Sequence, residues 1–139
     1  MIWNLNIKLL PHWRADGPWE ATIAVDASST LEWLHHAIQR AVAFDNDHLY
    51  ELFIARTPRS RERIRFDDED GGLYEHSIES LFPLPTDRRL YYLFDYGDHW
   101  VFQISRTRHQ PYEPEPGVEY PVVLSERGQR PEQYPMIED

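Results

Sequence analysis

Between Leu90 and Ile104 the chain runs LYYLFDYGDHWVFQI, two aromatic-rich stretches on either side of Gly97-Asp98. Gly-Asp is a turn dipeptide that closes tight hairpins. With that pair at the centre, the expected register sets Tyr96 opposite His99, Asp95 opposite Trp100 and Leu93 opposite Phe102. Side chains alternate along a strand. Tyr91, Leu93, Asp95, Trp100, Phe102 and Ile104 then share one face, and Tyr92, Phe94, Tyr96, His99 and Val101 the other. Both faces are largely apolar, so the hairpin needs cover on both sides and belongs at the centre of a sheet.

The remaining pattern supplies that sheet. Residues 3–10 alternate Trp3, Leu5, Ile7 and Leu9 with polar positions, the period of a half-buried strand. Residues 19–25 read as a second strand after the breaker-rich PHWRADGP. SSTLEWLHHAIQRAVAF predicts a helix, with Ser29 and Glu32 at capping-box spacing and Leu31, Leu34, Ile38, Ala41 and Val42 on one face. HLYELFIA and the shorter RIRF predict further strands, DDEDGGLYEHS a loop, and residues 77–82 a short helix stopped by Pro83 and Pro85. From residue 110 prolines recur, and only EYPVVL has the look of an edge strand.

The order β-β-α-β-β-short α-β-β is that of an α+β domain, a mixed β-sheet with one main helix packed on it, and it suggests a β-grasp-like arrangement. One domain is expected over residues 1–139, with a compact core at about 1–108 and a Pro-rich segment at 109–139.

Charge narrows the function. The formal net charge is −10, whereas a nucleic-acid grip needs a basic surface. Arg56, Arg59, Arg61, Arg63 and Arg65 crowd together, but the acidic FDDED follows at once. The chain has no cysteine, which excludes disulfides and thiolate metal sites. No apolar run approaches the roughly 20 residues of a membrane span, and MIWNLNIKLLPHW does not resemble a signal peptide. The expected location is cytoplasmic.

Three groups of residues could carry chemistry. Asp95 sits at the rim of an apolar hairpin and needs a partner. It either accepts the amides of Gly97 or Asp98 in an Asx-type turn or serves as a ligand or acid/base group. His35 lies on or beside the apolar helix face, where a histidine is commonly a satisfied core residue. With His48, which opens the next strand, Asp95 and Asp98, it has suitable ligand types for zinc or manganese, though no metal-spacing motif is present. Trp33, Trp13 and Trp19 could form an exposed aromatic patch for a protein partner, or pack at the edge of the core.

LEWLHHAIQRAVAFDNDHLYELFI resembles the segment in which Ri-plasmid ORF-three-like proteins carry a Leu-His, an Ile-Gln and a His-Leu pair. LYYLFDYGDHWVFQI resembles their tyrosine-rich strand, Asp-aromatic-Gly-Asp turn and following tryptophan, and YPVVLSERGQRPEQYP is similar to their proline-rich segment. The resemblance implies a passenger protein of plasmids and insertion elements. Some relatives carry a resolvase-like (TnpR) label, yet neither the nucleophilic serine in an arginine-rich site nor the DNA-binding domain of a serine recombinase can be placed here. Two positions depart from the family pattern: Phe102 stands where a histidine is frequent, and Glu132-Gln133-Tyr134-Pro135 where acidic and glycine residues are frequent.

Two functions fit these residues. The first is a non-enzymatic protein-interaction module without a cofactor, binding its partner through the aromatic patch or the proline-rich segment. The alternative is a small metal-dependent hydrolase or nuclease centred on Asp95 with His35 and His48.

Overall fold

The computed structural model describes residues 1–69 and 71–134. Its strands are β1 (Ile2–Leu9), β2 (Trp19–Asp26), β3 (Tyr50–Ala55), β4 (Ile64–Phe66), β5 (Arg89–Phe94), β6 (Trp100–Arg106) and β7 (Val122–Gly128). The main helix α1 (Leu31–Val42) follows β2, and a short α2 (Gly72–Glu75) and a 3-10 turn (Glu79–Leu81) lie between β4 and β5. The strands form one sheet in the order β4-β3-β5-β6-β1-β2-β7.

The α+β class holds, with one main helix on one sheet. The sheet is antiparallel rather than mixed, because each neighbouring pair runs antiparallel. Along the chain the elements follow the expected β-β-α-β-β-short α-β-β order, with β7 added at the end. After the helix, β3 pairs with β4 and β5, and it is β6 that lies against β1.

One face of the sheet takes α1. Leu31, Leu34, Ile38, Ala41 and Val42 pack there with Leu5, Ile7, Ile23, Tyr92, Phe94, Trp100 and Phe102. Each large side chain buried in this layer contributes roughly 1.5–3 kcal/mol. The opposite face is a smaller cluster of Phe53, Ala55, Tyr91, Leu93 and Val101. The arginine loop covers part of it: the Arg63 guanidinium lies 3.9 Å over the Phe53 ring, and Arg65 makes two 3.0 Å bonds to the buried Glu51 carboxylate. Two arginines of the basic cluster are therefore spent on covering the sheet.

The central hairpin corrects the expected register by one residue. Phe94 pairs with Trp100, Leu93 with Val101 and Tyr92 with Phe102. Gly97-Asp98 is not a central pair. The connection runs over residues 95–99, with Asp95 and His99 at φ 65° and 63°, and the His99 amide donates to the Asp95 carbonyl. A one-residue slip moves a strand's whole side-chain set to the other face. Tyr92 and Phe94 thus join Trp100 and Phe102 beneath the helix, instead of Tyr91 and Leu93.

The helix start is corrected by one residue as well. Thr30, not Ser29, is the N-cap, its hydroxyl accepting the Trp33 amide. Ser29 instead lends its carbonyl to the Ile78 amide. Residues 72–75, expected as loop, form α2.

The Pro-rich segment contributes β7, which pairs with β2, and Tyr112, which exchanges backbone hydrogen bonds with Ile2. β7 ends at Gly128, where φ is 84° and an added Cβ would lie 2.1 Å from the Pro18 carbonyl oxygen. Pro135 and the four residues after it, together with Asp70 of FDDED, lie outside the described residues. Among the described residues no helix is long and apolar enough to cross a membrane.

Candidate functional site

The 95–99 hairpin, the 43–49 connection from α1 to β3, the loop after β1 and residues 133–134 meet at one end of the sheet. Asp95 is buried there in the left-handed region. Its Oδ1 accepts the amides of Gly97 at 3.0 Å and Asp98 at 3.2 Å, which is the Asx-type turn. Its Oδ2 faces His48 Nε2 at 3.3 Å. The carboxylate both holds the turn and pairs with an imidazole.

His48 has two further neighbours. Its Nε2 lies 2.5 Å from the Tyr134 hydroxyl and 3.6 Å from Asp47 Oδ1. Tyr134 donates its proton to Asp47 Oδ2 at 2.8 Å, so the hydrogen between tyrosine and histidine comes from His48 Nε2. The hydrogen bond to Asp47 pushes the Tyr134 phenol up to about 12. Desolvation opposes the charge of Asp47, but the hydrogen bonds from Tyr134 and Gln133 outweigh it and hold the carboxyl below its ordinary range.

Gln133, only 6% exposed, is gripped on three sides. Its Oε1 accepts the Asp45 amide at 2.7 Å, its Nε2 donates to Asp47 Oδ1 at 2.8 Å, and its carbonyl accepts from Arg14 Nη1 at 2.8 Å. Arg14 also donates to Asp98 Oδ2 at 2.8 Å. Beside it, His12 Nε2 donates to the Asp98 carbonyl, Nδ1 accepts the Arg14 amide, and the ring stacks on Trp100 with centroids 3.6 Å apart. Desolvation lowers the His12 pKa, against the hydrogen bond to Asp98 that favours its charge.

His35 belongs to a different assembly. Its Nε2 donates to Asn46 Oδ1 and its Nδ1 accepts from the Tyr92 hydroxyl, while Gln39 Nε2 donates to the same hydroxyl. The ring is buried and stacks on Tyr50 with centroids 3.5 Å apart. Desolvation brings its pKa down to about 4. Both nitrogens are used, which is the satisfied core histidine.

Of the four proposed metal ligands, only His48 and Asp95 meet; Asp98 turns to Arg14, and His35 to Asn46 and Tyr92. Among the described residues no three histidine, aspartate or glutamate side chains converge as metal ligands. The aromatic patch also needs correction. Trp19 is 1% exposed in the core, because it points to the helix face of β2. Trp13 is 75% exposed with the Arg14 guanidinium 4.6 Å from its ring, and Trp33 is 56% exposed beside His36.

Sequence reasoning did not single out Arg14, Asp47, Gln133 or Tyr134 as site residues. One signal was present: Gln133-Tyr134 fall where the chain departs from the resembled family's pattern. A second feature lies at the far side of the sheet. β7 ends the strand order, and Val123 and Leu124 on it are 45% and 49% exposed.

The sequence profile described as plasmid pRiA4b ORF-3-like protein matches residues 13–134. The fold is similar to the crystal structure of protein of unknown function MM3350 from Methanosarcina mazei Go1, with a TM-score of 0.71 at 21% identity, over 90% of this chain and 68% of that one. No curated protein matches the chain.

Proposed function

The chain belongs to the plasmid pRiA4b ORF-3-like family, and on that premise we propose that it is a non-enzymatic protein-interaction module that receives an extended partner segment along β7. Among the described residues β7 pairs only with β2, and its outer edge carries this proposal. An edge strand presents unpaired backbone donors and acceptors, and an extended segment can add to it as a further strand. The two ends of this sheet differ in that respect. β4 is only three residues long and carries Arg65, the short and charged form of a guarded edge. β7 is seven residues long, with Val122, Val123 and Leu124 preceding its charged half.

The same proposal places the module in the cytoplasm, in keeping with its cysteine-free composition. Nucleic acid is opposed by the net charge of −10 and by the engagement of Arg63 and Arg65 on the sheet. The test is capture of partners by the tagged full chain from its own cells. Leu124→Lys is expected to lose the captured protein while Trp33→Ala keeps it. Loss on Trp33→Ala with full retention by Leu124→Lys would overturn the edge as the binding surface.

The second function, a metal-dependent hydrolase or nuclease, draws its support from the 3.3 Å approach of His48 to Asp95. It no longer includes His35. Zinc or manganese bound near-stoichiometrically and lost in Asp95→Ala would favour it over the binding module.

A further inference from the structure

We propose that the cradle formed by Arg14, Asp45, Asp47 and His48 is a recognition site for an extended peptide carrying Gln-Tyr, filled in this structure by the protein's own Gln133 and Tyr134. The ligand chemistry is written in the contacts. The glutamine amide is read at both ends, its oxygen by the Asp45 N–H and its nitrogen by Asp47 Oδ1. The main-chain carbonyl is held by Arg14, and the phenol by Asp47 Oδ2 and His48 Nε2.

This arrangement discriminates. A glutamate at the first position would set its carboxylate against Asp47 and lose the donated hydrogen bond. A phenylalanine at the second would leave Asp47 Oδ2 without its donor. Polar sites reject analogues that leave such groups unpaired. Gln-Tyr occurs once in the chain, so the cradle has one internal ligand.

That ligand is held in a way that permits exchange. Gln133 is buried but lies outside any strand, and Tyr134 is 48% exposed. The grip is a handful of hydrogen bonds, whose net strength in water is modest. An internal segment enjoys a high effective concentration, so an external peptide competes only when the internal one is weakened. The cradle lies at the hairpin end, apart from β7, and does not depend on the edge-binding proposal; Leu124→Lys leaves its residues untouched.

The test uses the full chain with Gln133→Ala and Tyr134→Ala, which takes both side chains out of the cradle and leaves only the main-chain carbonyl at Arg14, and a fluorescent peptide of sequence QRPEQY as probe. Binding read by anisotropy is expected to be at least about tenfold tighter to this variant than to the wild type. Peptides with Glu for Gln, or Phe for Tyr, should each bind about tenfold more weakly, as should the vacated chain that also carries Asp47→Asn. No binding to a vacated chain of native circular dichroism would overturn the proposal, as would equal binding of the three peptides. Should the double variant fail to fold, Gln133→Ala alone, which frees the Asp45 amide and Asp47 Oδ1 for the peptide's glutamine, takes its place under the same criteria.

Discussion

Asp95 and His48 approach to 3.3 Å across the end of the central hairpin, and the other carboxylate oxygen of Asp95 is already committed to the amides of Gly97 and Asp98. The two roles separate by substitution. Asp95→Asn retains an oxygen for the turn and a side chain tolerant of positive φ, so it should cost under about 1 kcal/mol. Asp95→Ala removes the acceptor from two amides and should cost about 1–3 kcal/mol. Urea denaturation of the pair measures the difference. Equal losses would mean that the charge facing His48, not the turn, is what Asp95 supplies.

His35 makes the fold sensitive to acid. Its folded pKa is lowered to about 4, whereas an unfolded histidine titrates near 6.5. Between those values the unfolded chain takes up a proton that the native chain refuses, so stability falls as pH drops from 6.5 towards 4. The full loss is roughly 3 kcal/mol. Chemical denaturation at pH 7 and pH 5 should show it, and His35→Gln should flatten that part of the dependence. Parallel curves for the two proteins would exclude His35 as its source.

Thr30 and Ser29 provide a direct comparison at the helix start. Since Thr30 accepts the Trp33 amide, Thr30→Ala should cost about 1 kcal/mol, while Ser29→Ala should cost a few tenths. Thermal melts decide between them, and the reverse order would restore Ser29 as the cap.

Glu51 and Arg65 form a one-sided pair, with Glu51 buried and Arg65 half exposed. Arg65→Met strands a buried carboxylate. Its cost, discounted for the solvent around Arg65, is roughly 1–3 kcal/mol. Arg61→Met, with no such partner among the described residues, should lie within about 0.5 kcal/mol of the wild type.

The residues explain which features could be foreseen. Strong periodicity placed the Leu5–Ile7–Leu9 face and the Leu31–Ile38 stripe, because one buried face leaves a clear pattern. The central hairpin was visible as an element but not in register. With apolar side chains on both faces, the alternation of Tyr91 to Phe94 does not say which face meets the helix. The left-handed conformations of Asp95 and His99 then decided it. Trp19 looked available for a surface because a strand's first residue can face either way. Residue types named Asp95 and His48 as candidates but could not say that they meet, and the Gln133 cradle gathers groups 88 and 119 positions apart, which no local pattern records.

Hydrogen exchange of the captured complex against the free chain is the sharpest test of the proposal that β7 receives a partner strand. Protection rising across Val122–Gly128, with the β5–β6 hairpin unchanged, is the predicted result. Unaltered exchange along β7 in a complex that protects the chain elsewhere would contradict it.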